Sequence, residues 1–207
     1  YAERREVIRI LTDMSANIRP YIADILESFA FMGYIDFLRS KALYAYETES
    51  VLPVVENRQG MYWADARHPL LYLQLKEQGR AIVPLEIELE APSQRILIIS
   101  GPNAGGKSVC LQTVGLVQYM LQCGMLVPMN QSSKMGIFAD IFIDMGDEQS
   151  IENDLSTYSS HLTNMKHFVR YSTDKTLILI DEFGTGTEPV LGGAIAESVL
   201  AELNRKG

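Results

Sequence analysis

The sequence predicts an α/β fold, a mixed sheet flanked by helices, with a helical segment ahead of it. Three observations predict it. Residues 1 to about 50 carry apolar side chains at three-to-four-residue spacing. From Val51 onward, short strand-like runs alternate with helical ones. One of those runs, Gln94-Arg95-Ile96-Leu97-Ile98-Ile99-Ser100, passes through a glycine-rich turn straight into a helical pattern. The 207 residues are enough for one sizeable core and a smaller appendage, which divides the chain into a helical segment, 1–50, and an α/β domain, 51–207.

In chain order, Val7, Ile8, Ile10, Leu11 and Met14 mark a first helix, and Pro20 interrupts it near Arg19. Ile22, Ile25, Leu26, Phe29 and Met32 continue the pattern past Gly33 to Leu38. Met61-Tyr62-Trp63-Ala64 reads as a strand, and Ile82 to Leu89 alternates apolar and acidic residues as a half-exposed antiparallel strand does. The unbroken apolar run 94–100 is expected to be a buried central strand. Leu111, Val114, Val117, Gln118 and Leu121 keep helical spacing after it. Segments 125–128, 134–138 and 141–144 are strand-like. The polar stretch 147–154 leads into a helix carrying Tyr158, Leu162, Met165, Phe168 and Val169 on one face. Thr176 to Ile180 is a second buried strand ending in Asp181-Glu182, and a last helix starts near Pro189. That helix reads as unfinished at Gly207, so the expectation is a piece of a longer protein with its α/β domain truncated.

Composition narrows the class. Hydrophobic residues make up 47% and charged residues 21%, ordinary for a globular protein and unlike a disordered or fibrous one. The net charge of −8 argues against the chain being mainly a nucleic-acid grip, which needs clustered Lys and Arg. Its densest basic stretch, Arg4, Arg5 and Arg9, is interleaved with Glu3 and Glu6, the sign of a solvated helix face. No apolar run approaches the roughly 20 residues that cross a bilayer, and the start lacks a secretion signal. Cys110 and Cys123 form neither a metal pattern nor a disulfide framework and read as reduced thiols, pointing to the cytoplasm.

The chemistry is concentrated in two places. Gly101-Pro102-Asn103-Ala104-Gly105-Gly106-Lys107-Ser108 fits G-x-x-x-x-G-K-S at every specified position, between a strand and a helix. Glycines let the backbone curl so that its amides converge on phosphate oxygens, and the helix adds its positive end. Lys107 supplies a charge between the β- and γ-phosphates and Ser108 a hydroxyl for magnesium, so ATP with Mg²⁺ is the expected ligand. The second place is Asp181-Glu182, at the carboxyl end of a buried strand, where open α/β sheets bind ligands. Asp181 is suited to hold magnesium and Glu182 to orient the attacking water, which favours hydrolysis over storage. A third signal is weaker. Gly146 to Ser150 and Leu155 to Ser160 crowd hydroxyls at a helix start, and Ser156 and Thr157 read there as caps or as a phosphate grip, including one on a second protomer.

These motifs together resemble the MutS family. Ile98 to Ser108, with its Gly-Pro-Asn start, is similar to that family's phosphate loop. Cys123 to Pro128 resembles its G-x-x-V-P segment, and Gly146 to Tyr158 its serine-threonine-aromatic signature, with Tyr158 where phenylalanine is usual. Asp181 to Thr187 resembles its D-E-x-G-x-G-T run, and Ala66-Arg67-His68-Pro69 its R-H-P element. Ser108-Val109 and the residues to Leu116 depart from the mismatch-repair pattern. With Thr187 to Gly193 they resemble the branch of the second bacterial paralogue, endonucleases acting on branched or recombining DNA.

The resemblance implies a P-loop ATPase of the ABC-like kind, with residues 1–50 as the end of helical core and lever segments. It implies a homodimer with composite sites, in which Ser156 of one protomer faces the γ-phosphate held by the other. Asn103 contacts phosphate, Thr187 lies at the dimer interface, and Ile82 packs on the adenine in place of the usual aromatic. Catalysis then falls to Glu182, Lys107 and Ser156. Nucleotide binding falls to residues 101–108 with Val109 and Ile82, and the metal to Ser108 and Asp181. The nuclease is implied to reside in a C-terminal domain beyond this chain, and DNA or, in some members, the ribosome is engaged by the full-length protein. His68 reads as structural, His161 and His167 as surface residues. Two other readings stay open: an ABC-type engine of a transporter or chromosome-maintenance protein, against which Leu155-Ser156-Thr157-Tyr158 is no L-S-G-G-Q, and a nucleotide-gated clamp with negligible hydrolysis.

Overall fold

A computed structural model describes residues 1–90, 92–102, 105–145, 154–184 and 188–206, and for residues 154–158 the backbone alone. The chain divides into two compact units, Tyr1–Tyr44 and Ala45–Gly207. In the first, α1 (Ala2–Ile18) meets α2 (Ile22–Glu47) through a 3₁₀ turn, Arg19–Tyr21. Pro20 lacks an amide hydrogen but its fixed φ suits the start of a turn, so the expected break is a single tightened turn. Arg9 on α1 pairs with Glu6 and Asp13, one turn away on either side, which keeps that face solvated. By contrast α2 exposes Ile22, Ile25, Phe31, Met32, Tyr34 and Ile35, which point in all directions around its axis.

The second unit contains two sheets. One has the order β1-β4-β2-β3, built from β1 (Val54–Glu56), β2 (Gly60–Ala66), β3 (Leu85–Glu90) and β4 (Lys134–Gly136). The β2–β3 pair is antiparallel, with Met61 opposite Leu89 and Trp63 opposite Ile87. Met61, Trp63 and Ile87 are buried while Glu86 and Glu88 face solvent, which is the alternation read from the sequence. The strand itself begins at Leu85, three residues later than expected. Pairing of β4 is parallel to β1 and antiparallel to β2, so this sheet is mixed. Gly136 at its end has no room for a side chain, since a Cβ would run into the carbonyl of Arg58 and the backbone of Gly60.

The other sheet pairs β5 (Asp140–Asp144) with β6 (Thr176–Ile180) in parallel, Asp140 opposite Thr176 and Asp144 opposite Ile180. Parallel neighbours need a crossover, supplied by α5 (Asp154–Tyr171). Two further helices complete the unit's α/β half, α4 (Lys107–Gln122) and α6 (Pro189–Lys206). Val114, Val117, Met120 and Leu121 of α4 are buried, as are Leu177 and Leu179 of β6 and Met165 and Phe168 of α5. At Gly115 the helix approaches the sheet closely: a Cβ there would lie 3.0 Å from Leu179 Cδ1. Buried Gln118 donates to the Gly136 carbonyl, and Gln122 both donates to Phe138 O and accepts from Phe138 N, tying α4 to the connection between β4 and β5.

Two expectations need correction. Residues 94–100 join no ladder among the described residues, and Ile96 to Ile99 are 39–74% exposed, so this is not a buried central strand here. An unbroken apolar run records a demand for burial on both faces; it does not supply the neighbouring strands that meet it. Among the described residues, Arg95 ties the segment to the end of α6 by donating to Asn204 O. The 125–128 stretch likewise reduces to a single bridge, Val51 with Val127, because Pro128 cannot continue the pairing. One helix went unforeseen: α3 (Pro69–Glu77), whose signals were Pro69 at the first position and His68 before it.

Candidate functional site

The glycine-rich loop of residues 101–108 is shaped by its glycines. Gly101 (φ 148°) and Gly106 (φ 82°) adopt backbone angles that a side chain resists, and Gly106 caps α4 in the left-handed region. Lys107 and Ser108 are therefore the first two residues of α4, where amide hydrogens have no intrahelical partner. Gly105 N donates to Pro102 O at 2.9 Å, and Lys107 Nζ donates to Gly101 O at 2.7 Å, folding the lysine across its own loop. Val109, the next residue, is 39% exposed. Asn103 and Ala104 lie outside the described residues, as do Thr187 and residues 146–150 of the signature stretch.

The direction of α4 relates this loop to the acidic pair. Gln122, at its carboxyl end, bonds Phe138, just ahead of β5, whereas Gly115 lies beside Leu179 and Ile143, near the ends of β6 and β5. The helix thus runs against the strands, and its amino end projects past the edge where β5 and β6 finish. At about 1.5 Å per residue, Lys107 lies about 12 Å further along than Gly115. Asp144, Asp181 and Glu182 stand at that same edge.

There the backbone is tightly specified. Asp181 N donates to Asp144 O at 2.8 Å, which extends the parallel ladder by one bond. Asp181 Oδ1 accepts from Glu182 N at 3.0 Å, and Glu182 holds φ at 49°, a strained angle for a residue with a Cβ. Such strain costs on the order of 1–3 kcal/mol and persists only where the surroundings over-determine it. Gly184 (φ 84°) follows, and a Cβ there would lie 2.9 Å from Gly192 O of α6, so the turn after the acidic pair is pressed against that helix.

Asp144 is the one buried charged residue among those described, 4% exposed. His161 Nδ1 donates to its Oδ2 at 2.7 Å and Asn164 Nδ2 to its Oδ1 at 2.7 Å, both from α5. Leaving such a buried acceptor without a donor costs about 1–3 kcal/mol. His161, read from sequence as a surface residue, is thus 20% exposed and engaged, a correction that rests on α5 folding back over β5. The available signal was His161 and Asn164 three residues apart on one helix, downstream of a strand ending in an acid. A cavity of about 20 Å³, lined in part by Asp144, His161, Asp181, Glu182, Met165 and Phe183, opens between them, room for about one water.

The remaining expected positions lie on other elements. Ser156 lies in the first turn of α5 by its backbone, and its side chain is outside the described residues. Ile82 lines an open pocket with Arg67, Tyr72, Lys76 and Arg80, a lining that includes no phosphate-loop residue. In that pocket the Arg67 guanidinium sits over the Tyr72 ring, and a hydrogen bond from Tyr72, together with pairing to Arg67 and Lys76, holds the Glu49 carboxyl below the usual range. His68 plays the structural part expected of it: its Nδ1 accepts from Leu71 N and caps α3, and burial holds its imidazole below the ordinary value. His167 packs its ring among Phe142, Phe168 and Tyr171.

Comparison with known proteins agrees with these features. The family model described as MutS domain V matches residues 97–207. The chain is 40% identical over 206 residues to a protein of Lactiplantibacillus plantarum named Endonuclease MutS2, covering 100% of this chain and 25% of that one. It is 41% identical over 207 residues to the Endonuclease MutS2 of Gemmatimonas aurantiaca, covering 99% of this chain and 24% of that one. The Enterococcus faecalis protein of the same name is 39% identical over 206 residues, again with 25% of its length covered. The chain therefore spans about a quarter of the length of the curated relatives it matches. With its glycine-rich loop at the head of α4, its acidic pair at the end of β6 and these matches, the chain belongs to the MutS family and is MutS2-like throughout its length.

Proposed function

We propose that this chain is the part of a MutS2-like protein that binds and hydrolyses Mg-ATP, in a P-loop ATPase domain of ABC-like type spanning 51–207. The observation that carries the reading is that α4 points its glycine-capped amino end past the sheet edge bearing Asp181 and Glu182. Lys107 leaves the Gly101 carbonyl for the stronger acceptor of a β- or γ-phosphate. The amides of 105–108 hold the phosphate oxygens, and Val109 and Ile82 flank the nucleotide.

The donor set suits magnesium. Among the described residues no cluster of three or more His, Cys, Asp or Glu forms a protein-only cage. The Ser108 hydroxyl and Asp181 carboxylate are hard oxygen donors of the sort that share magnesium with phosphates. Bound there, the ion neutralises charge on the phosphates. Glu182 orients the attacking water and accepts its proton. Ser156 completes the site from a second protomer, with Asn103 on phosphate and Thr187 at the dimer interface. Nucleotide state then governs engagement of branched DNA, or of the ribosome, by other segments of the full-length cytoplasmic protein, and its endonuclease activity resides outside this chain.

Phosphate release by the full-length protein tests this. Glu182→Gln is expected to bind a fluorescent ATP analogue normally and to lose about 10²–10⁴-fold in turnover, the usual contribution of a general base. Lys107→Ala is expected to lose nucleotide affinity itself. Normal turnover by Glu182→Gln removes Glu182 from the mechanism. Binding without turnover in the unaltered protein, with DNA or ribosomes added, establishes the nucleotide-gated clamp instead.

A further inference from the structure

We propose that Asp144, His161 and Asn164 form a positioning clamp that ties α5 to the strand ends bearing Asp181 and Glu182, so that hydrolysis depends on where the amino end of α5 points. The proposal rests on the ATPase reading above and assigns a task to the one buried charged residue, among those described, that the reading leaves unused.

Among its described side chains, α5 is held in two ways. Its carboxyl half is packed by apolar and aromatic contacts, with Phe168 stacked on Phe142 of β5 and His167 against Phe142 and Tyr171. Lys206 of α6 donates to the Val169 carbonyl at that end. Nearer its middle the fastening is polar: two donors one turn apart, His161 and Asn164, grip both oxygens of a single carboxylate. Apolar packing tolerates sliding and rotation, whereas two 2.7 Å bonds to one buried acceptor fix both rotation and height. A buried polar set is also weak evidence for stability alone, because apolar groups of the same volume serve a core as well; its best-attested use is to specify register.

The clamp is continuous with the site. The residue it grips is Asp144, whose carbonyl accepts from Asp181 N, and the next residue is the strained Glu182. His161 lines the same small cavity as Asp181 and Glu182, and it lies five residues beyond Ser156, about 7.5 Å along the helix axis. A shift of the amino end of α5 therefore reaches the acidic pair through one carboxylate. Asn164 grips the same carboxylate but does not line the cavity, which separates a positioning role from chemistry by the imidazole.

The test uses the full-length protein with His161→Leu, His161→Gln and Asn164→Ala, beside the unaltered protein and Glu182→Gln. Steady-state kcat and KM for ATP are read together with affinity for a fluorescent nonhydrolysable analogue. His161→Leu is expected to lower kcat about tenfold or more with KM and analogue affinity within about threefold, the pattern of an interaction realised in the transition state. Asn164→Ala is expected to lower kcat in the same way. His161→Gln, whose amide reaches and donates to Asp144, is expected to recover most of the loss. Should His161→Leu fail to fold, the Gln and Asn164 variants decide. Unchanged kcat in Asn164→Ala overturns the clamp, as does a Gln variant with impaired kcat, and either result leaves the ATPase reading intact. Absence of Lys107-dependent turnover in the unaltered protein overturns the ATPase reading, and the clamp with it.

Discussion

At the scale of single residues, the groups that matter here are those whose environment is fixed from several sides. Glu182 keeps a left-handed backbone between a ladder bond at Asp181 and a turn pressed on α6. His68 is a milder case, an imidazole acting as an acceptor at a helix start and disfavoured as a cation by burial. Its folded pKa is depressed, so the unfolded chain binds the proton more readily. The stability it contributes is complete above the ordinary imidazole value of about 6.5 and is lost as pH falls through the depressed folded value. His68→Asn, which keeps a capping acceptor without the titration, is expected to flatten that part of the stability curve, measured by urea unfolding between about pH 7.5 and 5. An unchanged slope removes His68 as the source. Site residues differ in legibility for a related reason. The loop from Gly101 to Ser108 and the pair Asp181-Glu182 obey local rules, so spacing reveals them. The partnership of His161 with Asp144 is made by a helix folding back over a strand, and 17 residues of sequence separate the two.

At the scale of elements, helices were the most legible, since a 3.6-residue period persists over the 16 to 18 residues of α4, α5 and α6. Short elements carry too little pattern: β1 has three residues and α3 nine, and both went unread, while the strand expected over 134–138 is realised only at Lys134–Gly136. The 94–100 segment fails differently. Its residues are typical of an inner strand, yet strand formation is a relation between neighbours, and a segment cannot announce which neighbours it has. In this 207-residue chain its backbone groups are unprotected by a ladder. Hydrogen exchange is accordingly expected to run at least about tenfold faster at the amides of Ile96 to Ile99 than at Leu177 to Ile180, which pair in β6. Equal protection would show that 94–100 is ladder-paired in solution. The same logic applies to α2, apolar on every side: a helix of that kind is made for burial within a larger helical body.

At the scale of the whole molecule, charge decides what this chain does by itself. It carries 18 Lys and Arg against 26 Asp and Glu. Some of those cations already pair with carboxylates: Arg9 with Glu6 and Asp13, Arg58 with Glu56 and Glu90, Arg67 and Lys76 with Glu49, Lys134 with Glu56, and Arg205 with Glu202. Binding to nucleic acid is driven largely by release of counterions as cations meet phosphates, and paired cations contribute little to it. The relatives named endonucleases are about four times as long, leaving ample chain outside this region for a grip of the opposite sign. Under the proposed ATPase reading, nucleotide chemistry is expected in this acidic module and DNA contact elsewhere in the full-length protein. Fluorescence anisotropy with labelled duplex and four-way-junction DNA measures it directly. At physiological salt the 207-residue chain is expected to bind neither more tightly than the non-specific range of about 10⁻⁴–10⁻⁶ M, with or without an ATP analogue. The full-length protein is expected to bind the junction well below that range and to lose affinity steeply as salt rises. Nanomolar binding by the 207-residue chain would place the DNA grip within the acidic module itself.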